Sequence, residues 1–116
     1  MTVPPISPEP GPRRNPRIER FQKLVTQHPQ NEMFRFSLAQ ALDAAGESAA
    51  AQTHYEICVA AKADWMLPRI SLGKLILKQE NQAAAKPLLE AALQLAIAQD
   101  HEAPAMELQA LLEGLA

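Results

Sequence analysis

Shifted by 34 positions, the sequence falls on itself: Leu38 meets Leu72, Ala39 Gly73, Leu42 Ile76, Ala51 Ala85, Tyr55 Leu89 and Cys58 Ala92. Polar positions recur with them, Arg35 as Arg69, Ser37 as Ser71 and Glu56 as Glu90. The same step taken backward lays Tyr55 on Phe21, Cys58 on Leu24 and Val59 on Val25, so the register begins half a repeat before Pro29. A period of this length holds two short helices and their turns. One such pair has an apolar face too large to bury alone, so pairs must stack and the outer ones must be capped.

The apolar spacing and the breakers place the helices. Ile18, Phe21, Leu24 and Val25 lie at helical spacing after Pro16, and Pro29 closes that segment. Asn31 is a candidate cap for a second helix through Phe34, Leu38, Ala41, Leu42 and Ala45, which Gly46 ends. Ser48 is expected to cap a third helix with Ala51, Tyr55, Cys58 and Val59, and Asp64 a fourth with Leu72, Leu75 and Ile76. Pro68 is tolerable in the fourth because a first turn has no internal donor bonds to lose. Asn81 opens a fifth helix through Ala85, Leu88, Leu89, Ala92, Leu93 and Ala96, where Pro87 predicts a mild kink or a late start. A sixth, from about Ala103 to Leu115, carries Met106, Leu108, Leu111, Leu112 and Leu115. The organisation read from these signals is a Pro-rich tail over 1–16, expected to be disordered, and a helical domain over 17–116. That domain comprises a half repeat over 17–30, repeats over 31–64 and 65–98, and a capping helix over 102–115.

Composition agrees with an all-α chain: 47 % of residues are apolar but only 4 % aromatic, and Ala supplies much of the difference. A net charge of −2 gives no reason to expect nucleic acid as the main ligand. Cys58 is the sole cysteine, which excludes an internal disulfide. The N-terminus lacks the apolar run of a signal peptide and no stretch has the length of a membrane span, so the expected location is the cytoplasm. In the tail, Pro5 to Pro8 fits a PxxP pattern for an SH3-like groove, against the plainer reading of a solvated segment.

With its 34-residue helix-turn-helix period, the chain resembles the tetratricopeptide repeat family from about Arg17 to about Ala98. Ala39, Gly73, Ala51 and Ala85 suit the small positions where paired helices touch, Tyr55 and Leu89 the large residue between repeats, and Pro29 the proline that often ends one. Arg35 and Arg69 depart from the aromatic common there, and Glu80 replaces the turn glycine that Gly46 keeps. The resemblance implies a right-handed solenoid of antiparallel helix pairs whose first helices line a concave groove for a peptide or partner helix. Met33, Phe36, Ser37, Gln40 and Asp43, with Leu67, Ile70, Ser71, Lys74, Leu77 and Lys78, would face that groove. Lys74 and Lys78 would meet a carboxylate there, unless the last helix folds back over the apolar residues and leaves both lysines solvated. Phe36, Gln40 and Ser71 stand where the carboxylate clamp of some family members requires Lys or Asn, which argues against that type of co-chaperone.

Candidates for chemistry are few. His54 and Cys58 are one helical turn apart, a spacing for a Cys-His nucleophile or half a metal site, but Cys58 falls on a core position of the repeat and no third ligand lies nearby. His28 and His101 match no metal-ligand spacing, and no glycine-rich phosphate loop is present. Trp65, in the inter-repeat turn, either packs over the junction of the repeats or stands as an exposed anchor for a partner. Residues 1–35 hold six basic and three acidic groups, whereas residues 87–116 hold five acidic and no basic ones, an asymmetry that suits either a solvated surface or head-to-tail association. The expectation is a non-enzymatic adaptor without a cofactor, monomeric or a weak homodimer, that binds another protein or peptide. The alternatives are a self-associating structural module and a helical enzyme or metal protein using His54 and Cys58.

Overall fold

A computed structural model describes residues 15–115 of the chain. These form six α-helices and, among the described residues, no strand: α1 (Pro16–Gln27), α2 (Glu32–Ala44), α3 (Ser48–Ala61), α4 (Met66–Lys78), α5 (Gln82–Ala98) and α6 (Glu102–Gly114). Each helix packs against the next one in the chain.

The period seen in the sequence is also a period of backbone hydrogen bonds. His28 N donates to Leu24 O and Asn31 N to His28 O after α1; after α3, 34 residues on, Lys62 N donates to Cys58 O and Trp65 N to Lys62 O. Likewise Glu47 N donates to Leu42 O across the α2–α3 turn, and Asn81 N to Ile76 O across the α4–α5 turn. Two kinds of turn therefore alternate from α1 to α5, one extended and one a tight reversal through a left-handed residue, and the α5–α6 turn, where His101 N donates to Ala96 O, is again of the tight kind.

That left-handed position is Gly46 after α2 (φ 83°), Glu80 after α4 (φ 60°) and Asp100 after α5 (φ 58°). Only the first is a glycine, and an L residue with a Cβ costs about 1–2 kcal/mol there. Glu80→Gly should accordingly raise the unfolding free energy by about 1 kcal/mol, part of the relief being offset by the freer unfolded chain. Urea denaturation would register this as a higher midpoint with an unchanged slope.

Three helix starts are capped by asparagine side chains. Asn15 accepts from Arg17 N and Ile18 N, Asn31 from Phe34 N, and Asn81 from Ala84 N, at 3.0–3.2 Å. Asn15 and Pro16 thus belong to the first helix as its cap and first residue, not to the tail; the rest of that tail, with the Pro5–Pro8 pattern, lies outside the described residues. The expected caps Ser48 and Asp64 are displaced by one residue. Glu47 and Trp65 occupy the cap positions of α3 and α4, without a side-chain cap bond, because the turn hydrogen bonds at Glu47 and Trp65 bring the chain into the helix at those residues. α5 begins at Gln82 and runs unbroken past Pro87, so the late start does not occur. Pro87 and Ala83 are both exposed, which leaves the Ala83 carbonyl, deprived of its intrahelical donor, accessible to water.

One continuous core joins the helices. Leu38, Ala39, Ala51, Tyr55, Cys58, Leu72, Leu75, Leu89, Ala92 and Leu108 are essentially fully buried in it. The four apolar residues of α1 are only half-buried, and in α6 Leu108 alone is buried while Leu111, Leu112 and Leu115 are half-covered.

Candidate functional site

The residues expected to line a groove differ in their exposure. On α2, Met33 is 58 % exposed and Gln40 is exposed, but Phe36 is buried rather than open to a ligand. Its ring is enclosed by two others, Trp65 at 5.2 Å and Tyr55 at 6.0 Å between centroids. On α4, Leu67 is 46 % exposed, and Ile70, Ser71 and Leu77 are half-buried.

The charged members are engaged with each other and with neighbouring helices. Asp43 Oδ2 accepts from the Tyr55 hydroxyl at 3.1 Å, while its Oδ1 lies 3.8 Å from Lys78 Nζ. Burial and the adjacent Asp43 hold the Tyr55 phenol above its ordinary range, against the opposing pull of a hydrogen bond from Ser71. Lys74 Nζ lies 3.8 Å from Glu107 Oε2, which joins α4 to α6. Both ion pairs are exposed enough that each contributes only about 0–1 kcal/mol. They do, however, give each lysine a carboxylate of this chain as its neighbour.

Beside this face the chain forms a cavity of about 700 Å³, lined by Lys62, Asp64, Trp65, Met66, Leu67, Gln99, His101 and Pro104. The extended turn after α3 supplies one wall and the first turn of α4 the floor; the α5–α6 turn and the start of α6 close the far side. Gln99 Nε2 donates to Asp64 O at 2.9 Å and ties the two turns together. Trp65 is half-buried, packed on Phe36, and it also lines the cavity. The volume lies within the range of about 300–1,000 Å³ usual for ligand sites, and the lining has their usual character, an apolar floor with a few polar groups at the rim.

Leu67 belongs both to the expected groove and to this cavity, whereas Lys62, Gln99, His101 and Pro104 were not foreseen. The signal for them was present. Pro68 and Pro104 are each the third residue of their helix, and Leu72, Leu75 and Ile76 recur as Leu108, Leu111 and Leu112, but at a step of 36 rather than 34.

His54 and Cys58 are not arranged as a nucleophile and its base. The Cys58 sulfur has no exposure, it lies 3.9 Å from Glu32 O, and burial pushes the thiol up to about 11, with Arg35 lowering and Glu32 raising it. A thiol so protonated at neutral pH is a poor nucleophile. His54 Nδ1 lies 3.1 Å from Arg35 Nη1, and burial, then that guanidinium, lower the ring's affinity for a proton. Among the described residues no three His, Cys, Asp or Glu side chains are grouped to hold a metal ion, and no helix is long and apolar enough to cross a membrane.

The chain is thus an all-helical protein whose helix pairs recur in sequence and in hydrogen bonding. No protein-family model matches it, and no curated protein matches it.

Proposed function

We propose that this chain is a non-catalytic protein-interaction module, a tetratricopeptide-like right-handed solenoid that holds a peptide or partner helix on the face of α2, α4 and α6. The reading rests on the Trp65 cavity. It combines an aromatic floor with Leu67 and Pro104 at its edge, and Met33 lies exposed 34 residues before Leu67, at the equivalent place on α2. The partner inserts an apolar side chain over Trp65 and lays its backbone along the Met33–Leu67 row. Lys62 and His101 at the rim favour an acidic or C-terminal group beside that anchor. Buried aromatic anchors in desolvated pockets carry most of the energy of such contacts.

Selection of peptides from a random display library against the full chain tests this reading. Selected peptides should share an apolar anchor and should shift Trp65 emission on titration. Leu67→Glu should weaken them by about tenfold or more, the loss of an anchor contact, while Ile57→Glu, an exposed site on α3 outside the cavity, leaves them unchanged. Peptides that bind the Leu67→Glu protein as tightly as the parent would refute it.

A further inference from the structure

The two ends of the helical array carry complementary halves of one helix pair. α6 repeats the core positions of α4, with Pro104, Leu108, Leu111 and Leu112 in the places of Pro68, Leu72, Leu75 and Ile76, and α4 is the first helix of a pair, turned toward α5 through Gly73, which lies against Leu89. The same face of α6 presents Glu102, Met106, Gln109 and Glu113, all exposed, Met106 to 68 %. No helix among the described residues covers it. α1 is the converse case. It stands one step of 34 residues before α3, a second helix of a pair, and the positions through which α3 meets α2 correspond in α1 to Arg17, Arg20, Phe21 and Leu24. The three apolar or basic groups nearest that face are covered incompletely: Arg17 and Arg20 are exposed and Phe21 is half-buried.

We propose that a second copy of this chain docks its α1 on α6, head to tail, so that the helix pairs continue from one molecule into the next. The α2–α3 contacts, carried across by register, give the joint. Phe36 against Tyr55 becomes Met106 against Phe21, a thioether on an aromatic ring. Glu32, which shares a cleft with Ile57 and Cys58, becomes Glu102 beside Lys23 and Leu24. Asp43, which accepts from the Tyr55 hydroxyl, becomes Glu113 beside Phe21, one helical turn from Arg17. The charges are thus opposite at both ends of the joint, and no basic residue lies between positions 87 and 116 to oppose them. Gln109 takes the place of the small residues Ala39 and Gly73, which keeps the joined helices farther apart than those within a molecule and makes the association weak. The joint is heterologous, so it extends into chains or rings and does not stop at two molecules. It uses neither Trp65 nor Leu67 and is independent of peptide binding.

Sedimentation of the full chain from about 10 µM to about 1 mM, the range of weak association, tests the proposal. The average mass should rise past that of a dimer, and raising the salt from about 0.05 M to about 0.5 M should weaken the association by about tenfold. Arg17→Glu with Lys23→Glu spoils one end, and Met106→Arg with Glu113→Arg spoils the other; all four sites are exposed, and far-ultraviolet circular dichroism verifies that each variant keeps its helices. Each variant alone should stay monomeric, and the two mixed should form a one-to-one complex through their intact ends. A chain that stays monomeric throughout, a dimer that both variants retain, or variants that fail to pair on mixing would overturn it.

Discussion

Leu89→Ala lowers the unfolding free energy by about 3 kcal/mol, and in that background Gly73→Ala changes from a destabilising to a stabilising substitution. Leu89 has no exposure, and truncating a buried leucine costs about 2–5 kcal/mol through lost transfer energy and the cavity left behind. Gly73 lies directly beneath it. A Cβ at position 73 would come 2.6 Å from Leu89 Cδ2 and 2.8 Å from Leu89 Cγ, closer than packed carbons tolerate. In the parent, Gly73→Ala therefore sets a helix-propensity gain of about 1 kcal/mol against overpacking of about 1–3 kcal/mol, for a net loss. Once Leu89 is reduced to alanine, the clash disappears while the propensity gain remains and the methyl fills part of the void. The double-mutant cycle should show a coupling of about 2 kcal/mol, well above the about 0.5 kcal/mol error of additivity. Urea denaturation of the four proteins measures it, and a Gly73→Ala effect of the same sign in both backgrounds would disprove the close contact. The total stability of such a domain is about 5–15 kcal/mol, so Leu89→Ala removes a large share of it.

The helices and their partition into pairs were legible because the forces that set them are local. Asn31 and Asn81 bond backbone groups three residues away, and Gly46 supplies its own left-handed turn. Glu80 and Asp100 adopt the same conformation without the residue that announces it, since the surrounding hydrogen bonds from Asn81 to Ile76 and from His101 to Ala96 fix the reversal. What the sequence hid was set by contacts between distant residues. Phe36 has the position of a groove residue, yet Trp65 from the following turn covers it. Lys74 and Lys78 read as free cations until Glu107 and Asp43 are placed beside them by the packing of α4 against its neighbours. α6 escaped recognition as a copy of α4 because α5 is 17 residues long where α3 is 14, which breaks the fixed period on which the comparison depends.

Stability should fall steeply above pH 9, and Cys58 and Tyr55 identify the cause. Both groups are acids that hold their proton more tightly in the folded chain than in the unfolded one, Cys58 up to about 11 and Tyr55 higher than its ordinary 10.0. Burial is the main reason for each, since a thiolate or phenolate in the core would lose its hydration, and at Tyr55 the Asp43 carboxylate adds repulsion. Above the unfolded-state value the unfolded chain releases a proton that the folded chain retains, so the folded state binds more protons and stability declines with rising pH. The contribution of Cys58 is intact below pH 9 and is lost by about pH 11, which amounts to ~2 kcal/mol. Tyr55 adds to the decline from pH 10 upward. Cys58→Ala should fold readily, because the equivalent place in the next repeat is the buried Ala92, and its urea midpoint should stay level between pH 9 and 10 where that of the parent falls. Tyr55→Phe should remove the later part of the decline, at a cost near neutral pH of about 1 kcal/mol for the hydrogen bond to Asp43. Parallel pH profiles for the parent and both variants would mean that these side chains exchange protons with solvent as freely in the folded chain as in the unfolded one, and that the core around α2, α3 and α4 is open to water.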